Sequence, residues 1–311
     1  MDSNVSISQL IDSAEQHFQF GAYTRGIECL REALSLEPDN GFLHSYLSFA
    51  LIETKRRTAA LYEAEIGLSL SPDSSYGHYT LGYAYLVNQK FALASEHLDN
   101  AIEREPDNAM YHLLKSRIFF QQNKYQEALK TIKHALELAP NNCDVLTEYG
   151  DILLQLGKVD EAAEFYQNAL QRGPQNINGL IGMGTVLLKK NQVQEAREHA
   201  IWALQQAPDY APALRLFTQI KARSNPVMGV WWRLNNWLSN GSNTRMVVLL
   251  ISGFLLFQVA SIVLEDLGHK SVGEVVSMFW LGIVIYSWIG PAWFNRMLKK
   301  ELETVSLDKA F

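Results

Sequence analysis

The chain has 311 residues, 48% of them apolar and 19% charged, with a formal charge of −6, enough for a large core and more than one region. Residues 1–223 hold 20 Lys/Arg against 27 Asp/Glu, and this mildly acidic balance argues against nucleic-acid binding, which needs a basic stripe. Cys29 and Cys143 lie far apart in sequence and read as free thiols of a reducing compartment, and the opening Met-Asp-Ser-Asn carries no basic-then-apolar secretory pattern.

The first 210 residues are organised by prolines. Pro38, Pro72, Pro106, Pro140, Pro174 and Pro208 are each 34 residues from the next. Six helix-stopping residues in one register define the repeats 7–40, 41–74, 75–108, 109–142, 143–176 and 177–210. Each repeat reads as two amphipathic helices. Position 8 is small throughout (Ala14, Ser48, Gly82, Ser116, Gly150, Gly184), and so is position 20 (Gly26, Ala60, Ala94, Ala128, Ala162, Ala196). Small residues let two helices cross closely; a Leu there would push the backbones apart. After each proline come residues such as Asp39-Asn40, Asp73-Ser74 and Asp107-Asn108, whose side chains accept hydrogen bonds from the first N–H groups of the next helix. One repeat cannot bury its own apolar face, whereas stacked neighbours can.

The third repeat reads Leu81-Gly82, Tyr85, Ala94, Leu98, Ala101, Pro106, and the fifth Tyr149-Gly150, Leu153, Ala162, Tyr166, Ala169, Pro174. Over about two thirds of the chain this pattern resembles the tetratricopeptide repeat (TPR) family. The resemblance implies an all-α solenoid of six helix-turn-helix repeats whose first helices line an inner groove. On the groove positions it places Phe42, Tyr46, Phe49, Tyr76, Tyr79, Tyr83, Arg117 and Phe120, then an acidic stretch of Asp144, Glu148 and Asp151. The spacing itself puts Phe42, Tyr46 and Phe49 on one helical face and Leu47 and Leu51 on another; a helix apolar on two faces is buried on both or has a partner to meet. TPR co-chaperones hold a C-terminal carboxylate with Lys, Asn and Arg, but the corresponding sites here are Ser45, Phe49, Tyr79 and Tyr83. A ligand with an apolar or aromatic centre and a basic flank suits this groove better.

Residues 211–222 are predicted to be a capping helix with a stripe of Leu214, Phe217 and Ile220. Residues 224–245 form a Trp-rich linker whose Val227, Val230, Trp231, Leu234 and Leu238 share one face, as in a helix lying in a membrane interface. Met246–Leu264 is a run of 19 uncharged residues, a span of about 28 Å as a helix. Val275–Phe294 is a second uncharged run, and together they predict a two-helix transmembrane hairpin over 246–294, followed by a tail at 295–311. Arg233, Arg245, Arg296, Lys299 and Lys300 flank the hairpin on one side, against Lys270 alone in the linker, which places the solenoid and the C-terminus in the cytoplasm.

His44, His78 and His112 recur at position 4. Equivalent residues in stacked helix pairs stand about 10 Å apart and metal ligands about 2 Å from their ion, so packing is the expected role. No nucleotide-loop, zinc-protease or nucleophile-elbow string occurs, so no catalytic residue, cofactor, metal or small-molecule substrate is expected. The expected function is a membrane-anchored scaffold or adaptor that binds a protein or peptide segment, with the hairpin in the lipid bilayer of a bacterial inner membrane. The alternative is a regulatory or assembly subunit of a membrane transport or secretion complex, with the hairpin carrying specificity.

Overall fold

The computed structural model describes residues 6–224 and 243–267, with single positions beyond as far as Met278, and side chains at 6–223 and from Ser252 onward. Every described element is an α-helix. The chain divides into two compact units, Met1–Arg172 and Gly173–Phe311.

The first unit contains five helix pairs: α1 (Ile7–Gln19) with α2 (Tyr23–Leu36), α3 (Gly41–Glu53) with α4 (Arg57–Leu70), α5 (Ser75–Val87) with α6 (Phe91–Arg104), α7 (Ala109–Gln121) with α8 (Tyr125–Leu138), and α9 (Cys143–Gln155) with α10 (Val159–Arg172). Each pair falls inside one 34-residue repeat. First helices of neighbouring pairs lie side by side, α3 on α5, α5 on α7 and α7 on α9, and each second helix packs on the first helix of the next pair. The core runs along this stack through Leu47, Leu51, Leu81, Leu98, Leu114, Ile118 and Ile132, all buried.

Three local devices repeat. Ser6, Asn40, Ser74, Asn108, Asn142 and Asn176 cap the first helices, each side chain accepting from backbone N–H groups of the opening turn. Each first helix ends in a residue with φ between 60° and 79°: Gly21, Lys55, Gln89, Asn123, Gly157 and Asn191. At α3 the Arg56 N–H donates to Leu51 O at 2.9 Å and the Lys55 N–H to Ile52 O at 2.9 Å, the paired bonds of a Schellman ending. Between the helices of a pair, position 8 meets the backbone of position 20. The Ser48 hydroxyl donates to Ala60 O at 2.8 Å and that of Ser116 to Ala128 O at 3.0 Å. A Cβ on Gly82 would come within 2.2 Å of Leu98 Cδ2.

The second unit contains α11 (Ile177–Lys189), α12 (Val193–Gln206), α13 (Ala211–Ser224) and α14 (Asn243–Asp266). α13 packs on α11 and α12, burying Ala213, Leu216, Phe217 and Ile220. The expected stripe is thus shifted: Leu214 is only half-buried and Leu216 takes the inner place, because the packing spans two helices rather than one line. α14 contains the uncharged run 246–264, and its Phe254, Leu255, Leu256, Val259 and Ile262 are exposed. Among the described residues, no helix is long and apolar enough to cross a membrane. Of the expected linker 224–245, residues 225–242 lie outside the described residues while 243–245 open α14; the run 275–294 apart from Val275 and Met278 and the tail at 295–311 also lie outside the described residues.

Candidate functional site

The inward-facing positions of the first helices carry a chain of aromatic rings. Phe18 of α1 lies 5.4 Å, centroid to centroid, from Tyr46 of α3 and equally close to Tyr23 of α2. Tyr46 lies 5.7 Å from Phe42, and Phe42 lies 5.6 Å from Tyr76 of α5. Tyr76 leads to Tyr79 at 6.0 Å, and Tyr79 to Tyr83 at 6.4 Å and to Tyr111 of α7 at 5.1 Å. Phe49 closes on Tyr83 at 6.3 Å. Such offset and tilted contacts each add about 0.5–1.5 kcal/mol beyond burial. The six expected aromatics Phe42, Tyr46, Phe49, Tyr76, Tyr79 and Tyr83 are therefore one connected set. Phe120 stands apart, its ring 5.6 Å from Tyr125 at the turn of its own pair.

Burial sorts this set. Phe42 is 45% exposed, and Tyr46, Phe49, Tyr76 and Tyr83 are half-buried. Tyr79 is only 7% exposed. Its repeat position predicts a place on a wet groove wall, but it stacks on Tyr111 between neighbouring first helices and belongs to the core. The ring hydroxyls are hard to ionise: burial pushes Tyr46 and Tyr79 up to about 12.

Polar groups follow the rings. The Tyr83 hydroxyl donates to Glu53 Oε1 at 3.1 Å. Arg117 Nε donates to Glu148 Oε2 at 3.1 Å, and the Tyr166 hydroxyl to Asp151 Oδ1 at 2.6 Å. Asp144 lies exposed in the first turn of α9, its N–H donating to Asn142 Oδ1 at 2.9 Å. Burial pushes Glu148 upward, with the Arg117 guanidinium opposing it. Burial also pushes Asp151 up to about 7, although its bond from Tyr166 pulls the other way. Burial raises Glu53 as well; the Tyr83 bond and Arg117 oppose the rise and Asp144 adds to it.

Sequence reasoning missed Phe18, Tyr23, Tyr111, Glu53 and Tyr166 as members of this set. Phe18 and Glu53 occupy positions 12 and 13, which the TPR resemblance already puts at the groove. Tyr23 and Tyr166 reach in from second helices, a direction that first-helix spacing does not report. The position-4 histidines lie elsewhere and bond within their own repeat or to the proline carbonyl that ends the repeat before. His44 Nδ1 is 2.7 Å from Glu63 and Nε2 2.8 Å from Pro38 O, His78 Nδ1 is 3.0 Å from His97 Nδ1, and His112 Nε2 is 2.7 Å from Pro106 O. Among the described residues, no group of three or more His, Cys, Asp or Glu could hold a metal ion.

Residues 88–212 match the family described as the TPR domain of cytochrome c-type biogenesis protein H. A comparison with curated proteins gives no match. Among solved structures, the TPR protein TTC0263 of Thermus thermophilus is 19% identical with a TM-score of 0.55, over 59% of this chain and 100% of that one. The pilF protein of Pseudomonas aeruginosa is 17% identical with a TM-score of 0.51, over 70% of this chain and 97% of that one. The Cut9–Hcn1 hetero-tetramer of the APC/C is 14% identical with a TM-score of 0.58, over 70% of this chain and 43% of that one. At these identities the similarity is one of fold: the helix pairs are a TPR solenoid.

Proposed function

We propose that this TPR solenoid is a protein-binding scaffold, that its concave aromatic face captures a segment of a partner protein, and that the apolar stretch beginning at Met246 holds the chain at a membrane. The observation that carries the capture is the connected ring set, whose outer members keep part of their surface exposed. Rings needed only for packing are buried, as Tyr79 is. Phe42, Tyr46, Tyr76 and Tyr83 instead keep part of their surface exposed, and tyrosines and arginines of that kind dominate binding surfaces. The anchor is supported by the 19 uncharged residues of Met246–Leu264 and by the second uncharged run, 275–294. The excess of Lys and Arg outside the hairpin supports a cytoplasmic solenoid and C-terminus, as at a bacterial inner membrane. No catalytic role is proposed.

A second reading, an assembly subunit of a membrane complex, is favoured by the match of residues 88–212 to the TPR domain of a cytochrome c-type biogenesis protein. Replacing the hairpin with an unrelated one separates the two: a scaffold keeps its function and a complex subunit loses it.

The capture is tested by crosslinking on native membranes and recovery of partners from detergent. Phe42→Ala/Tyr46→Ala is expected to weaken recovery by about 2 kcal/mol or more, roughly thirtyfold. Tyr62→Ala removes a ring that is exposed on second helix α4, away from this set, and is expected to leave recovery unchanged. If the double variant melts like the wild type and still recovers every partner, the concave face is not the binding site.

A further inference from the structure

In the second and third repeats, position 4 of the first helix meets position 23 on the second. His44 Nδ1 lies against Glu63 Oε2 at 2.7 Å, and its Nε2 against Pro38 O. In the third repeat both places hold histidine. His78 of α5 and His97 of α6 bring their Nδ1 atoms to 3.0 Å, and the His97 ring stacks on Tyr85. His78 also has a backbone hydrogen bond to Pro72. With Nδ1 turned to His97, that bond fixes the ring through its other nitrogen, the way an outer carbonyl orients a metal-ligating histidine. Packing alone needs no second imidazole: Leu10, Leu146 and Leu180 fill position 4 in the first, fifth and sixth repeats.

Two nitrogens bound to one ion at about 2.0–2.1 Å, with an angle of about 90–109° between the bonds, stand about 2.8–3.4 Å apart. The observed separation falls inside that range. We propose that His78 and His97 are a two-histidine chelate for a first-row transition ion, Cu(II) being held most tightly. Among the described residues no group of three His, Cys, Asp or Glu forms around them, so water fills the remaining positions and the ion is exchangeable. Imidazole suits Cu(II), which stands highest in the divalent order. Without the ion, one Nδ1–H donates to the other Nδ1. With it, that proton moves to Nε2 of the same ring, both Nδ1 lone pairs meet the ion, and neither ring changes charge. His78 is buried and His97 half-buried, so the ion enters from the α6 side. Arg104, whose charge acts on His78, is paired with Asp73 at 3.8 Å. The bound ion ties α5 to α6 and so stiffens the helix that carries Tyr76, Tyr79 and Tyr83.

The probe is Cu(II) alone, added to the detergent-solubilised full chain with Cys29 and Cys143 replaced by Ser, because thiols reduce the ion. Paramagnetic resonance is expected to show coupling to two imidazole nitrogens at one equivalent. The melting temperature should rise by about 5 °C when the ion is in about hundredfold excess over its Kd. His78→Gln and His97→Gln should each lower the affinity about tenfold or more and leave one coupled nitrogen at most. His17→Gln removes a histidine of α1 from outside this pair and should change nothing. Gln at 97 keeps a donor for His78 Nδ1, and a melting curve without copper that matches the wild type's confirms the fold. A wild-type spectrum with fewer than two nitrogens overturns the proposal whatever the variants do. Two nitrogens that persist in either variant overturn it as well, and place the ion elsewhere on the chain.

Discussion

Ala128 has no exposed surface, and its carbonyl accepts the Ser116 hydroxyl at the crossing of α7 and α8. A glutamate there must enlarge the crossing and bury a charge, so Ala128→Glu is expected to cost about 3 kcal/mol or more. Lys130 is exposed two residues away, and Lys130→Glu should stay within about 0.5 kcal/mol in the same thermal melts. Equal effects would mean that the crossing is not where the small residues lie. Asp151 gives a second measurable consequence. The folded protein holds its carboxyl at about 7 through burial, against an ordinary value of 3.8. Between those values the folded state keeps a proton that the unfolded chain has released, so stability falls as pH rises through that window, and above it the buried carboxylate exerts its full cost. Asp151→Asn keeps an acceptor for Tyr166 and removes this slope. The variant should therefore gain on the wild type in melting temperature from pH 5 to pH 8; parallel profiles would place Asp151 in water. The raised Glu53 and Glu148 act in the same direction, so part of the slope survives in the variant. The small crossing residues could be read from sequence because volume at a helix crossing is a local demand. The burial of Tyr79 could not, because it depends on Tyr111 of the next repeat filling the space beside it.

The helix ends were legible in part. Asn40, Asn108, Asn142 and Asn176 announce N-caps by residue type, and the second residue of each pair after the proline is the one that caps. The endings of the first helices needed all six repeats to be compared. Gly21, Gly157, Asn123 and Asn191 suit a left-handed residue, but Lys55 and Gln89 occupy the same place with φ of 62° and 60°. A left-handed conformation strains any residue with a Cβ. At these two positions the Schellman bonds and the packed pair impose it against local preference. Lys55→Gly and Gln89→Gly are therefore each expected to stabilise the fold by about 0.5–1 kcal/mol, read as a rise in melting temperature. The same change inside a helix, Lys130→Gly on α8, should cost about 1 kcal/mol. Opposite signs for one substitution type make the left-handed turn the cause; a loss at both Lys55 and Gln89 would show that those side chains contribute more than the strain costs.

At the scale of the whole chain, the repeat register reports that the helices stack, but not how far the first-helix face curves. Curvature accumulates from small rotations between repeats, each set by side chains on both sides of an interface, and no single repeat encodes it. Asp144, Glu148 and Asp151 were therefore legible as residues, while the bonds of Glu148 to Arg117 and of Asp151 to Tyr166 were not. For the C-terminal region the reverse holds, because length and charge carry the argument directly. Arg233, Arg245, Arg296, Lys299 and Lys300 lie outside the proposed hairpin and Lys270 inside its linker. Charged loops resist transfer across a bilayer, and the basic excess stays on the cytoplasmic side. If Met246–Leu264 and Val275–Phe294 both cross, Gly268 faces the outside and Ser306 the cytoplasm. In a chain with Cys29 and Cys143 replaced by Ser, a membrane-impermeant thiol reagent added to intact cells should label Gly268→Cys and leave Ser306→Cys unlabelled until the membrane is opened. Labelling of Ser306→Cys alone would invert the topology and place the solenoid outside. Equal protection of both positions in intact cells, with equal labelling after lysis, would mean that the uncharged runs do not carry the linker across, and the solenoid would then meet its partner without an anchor of its own.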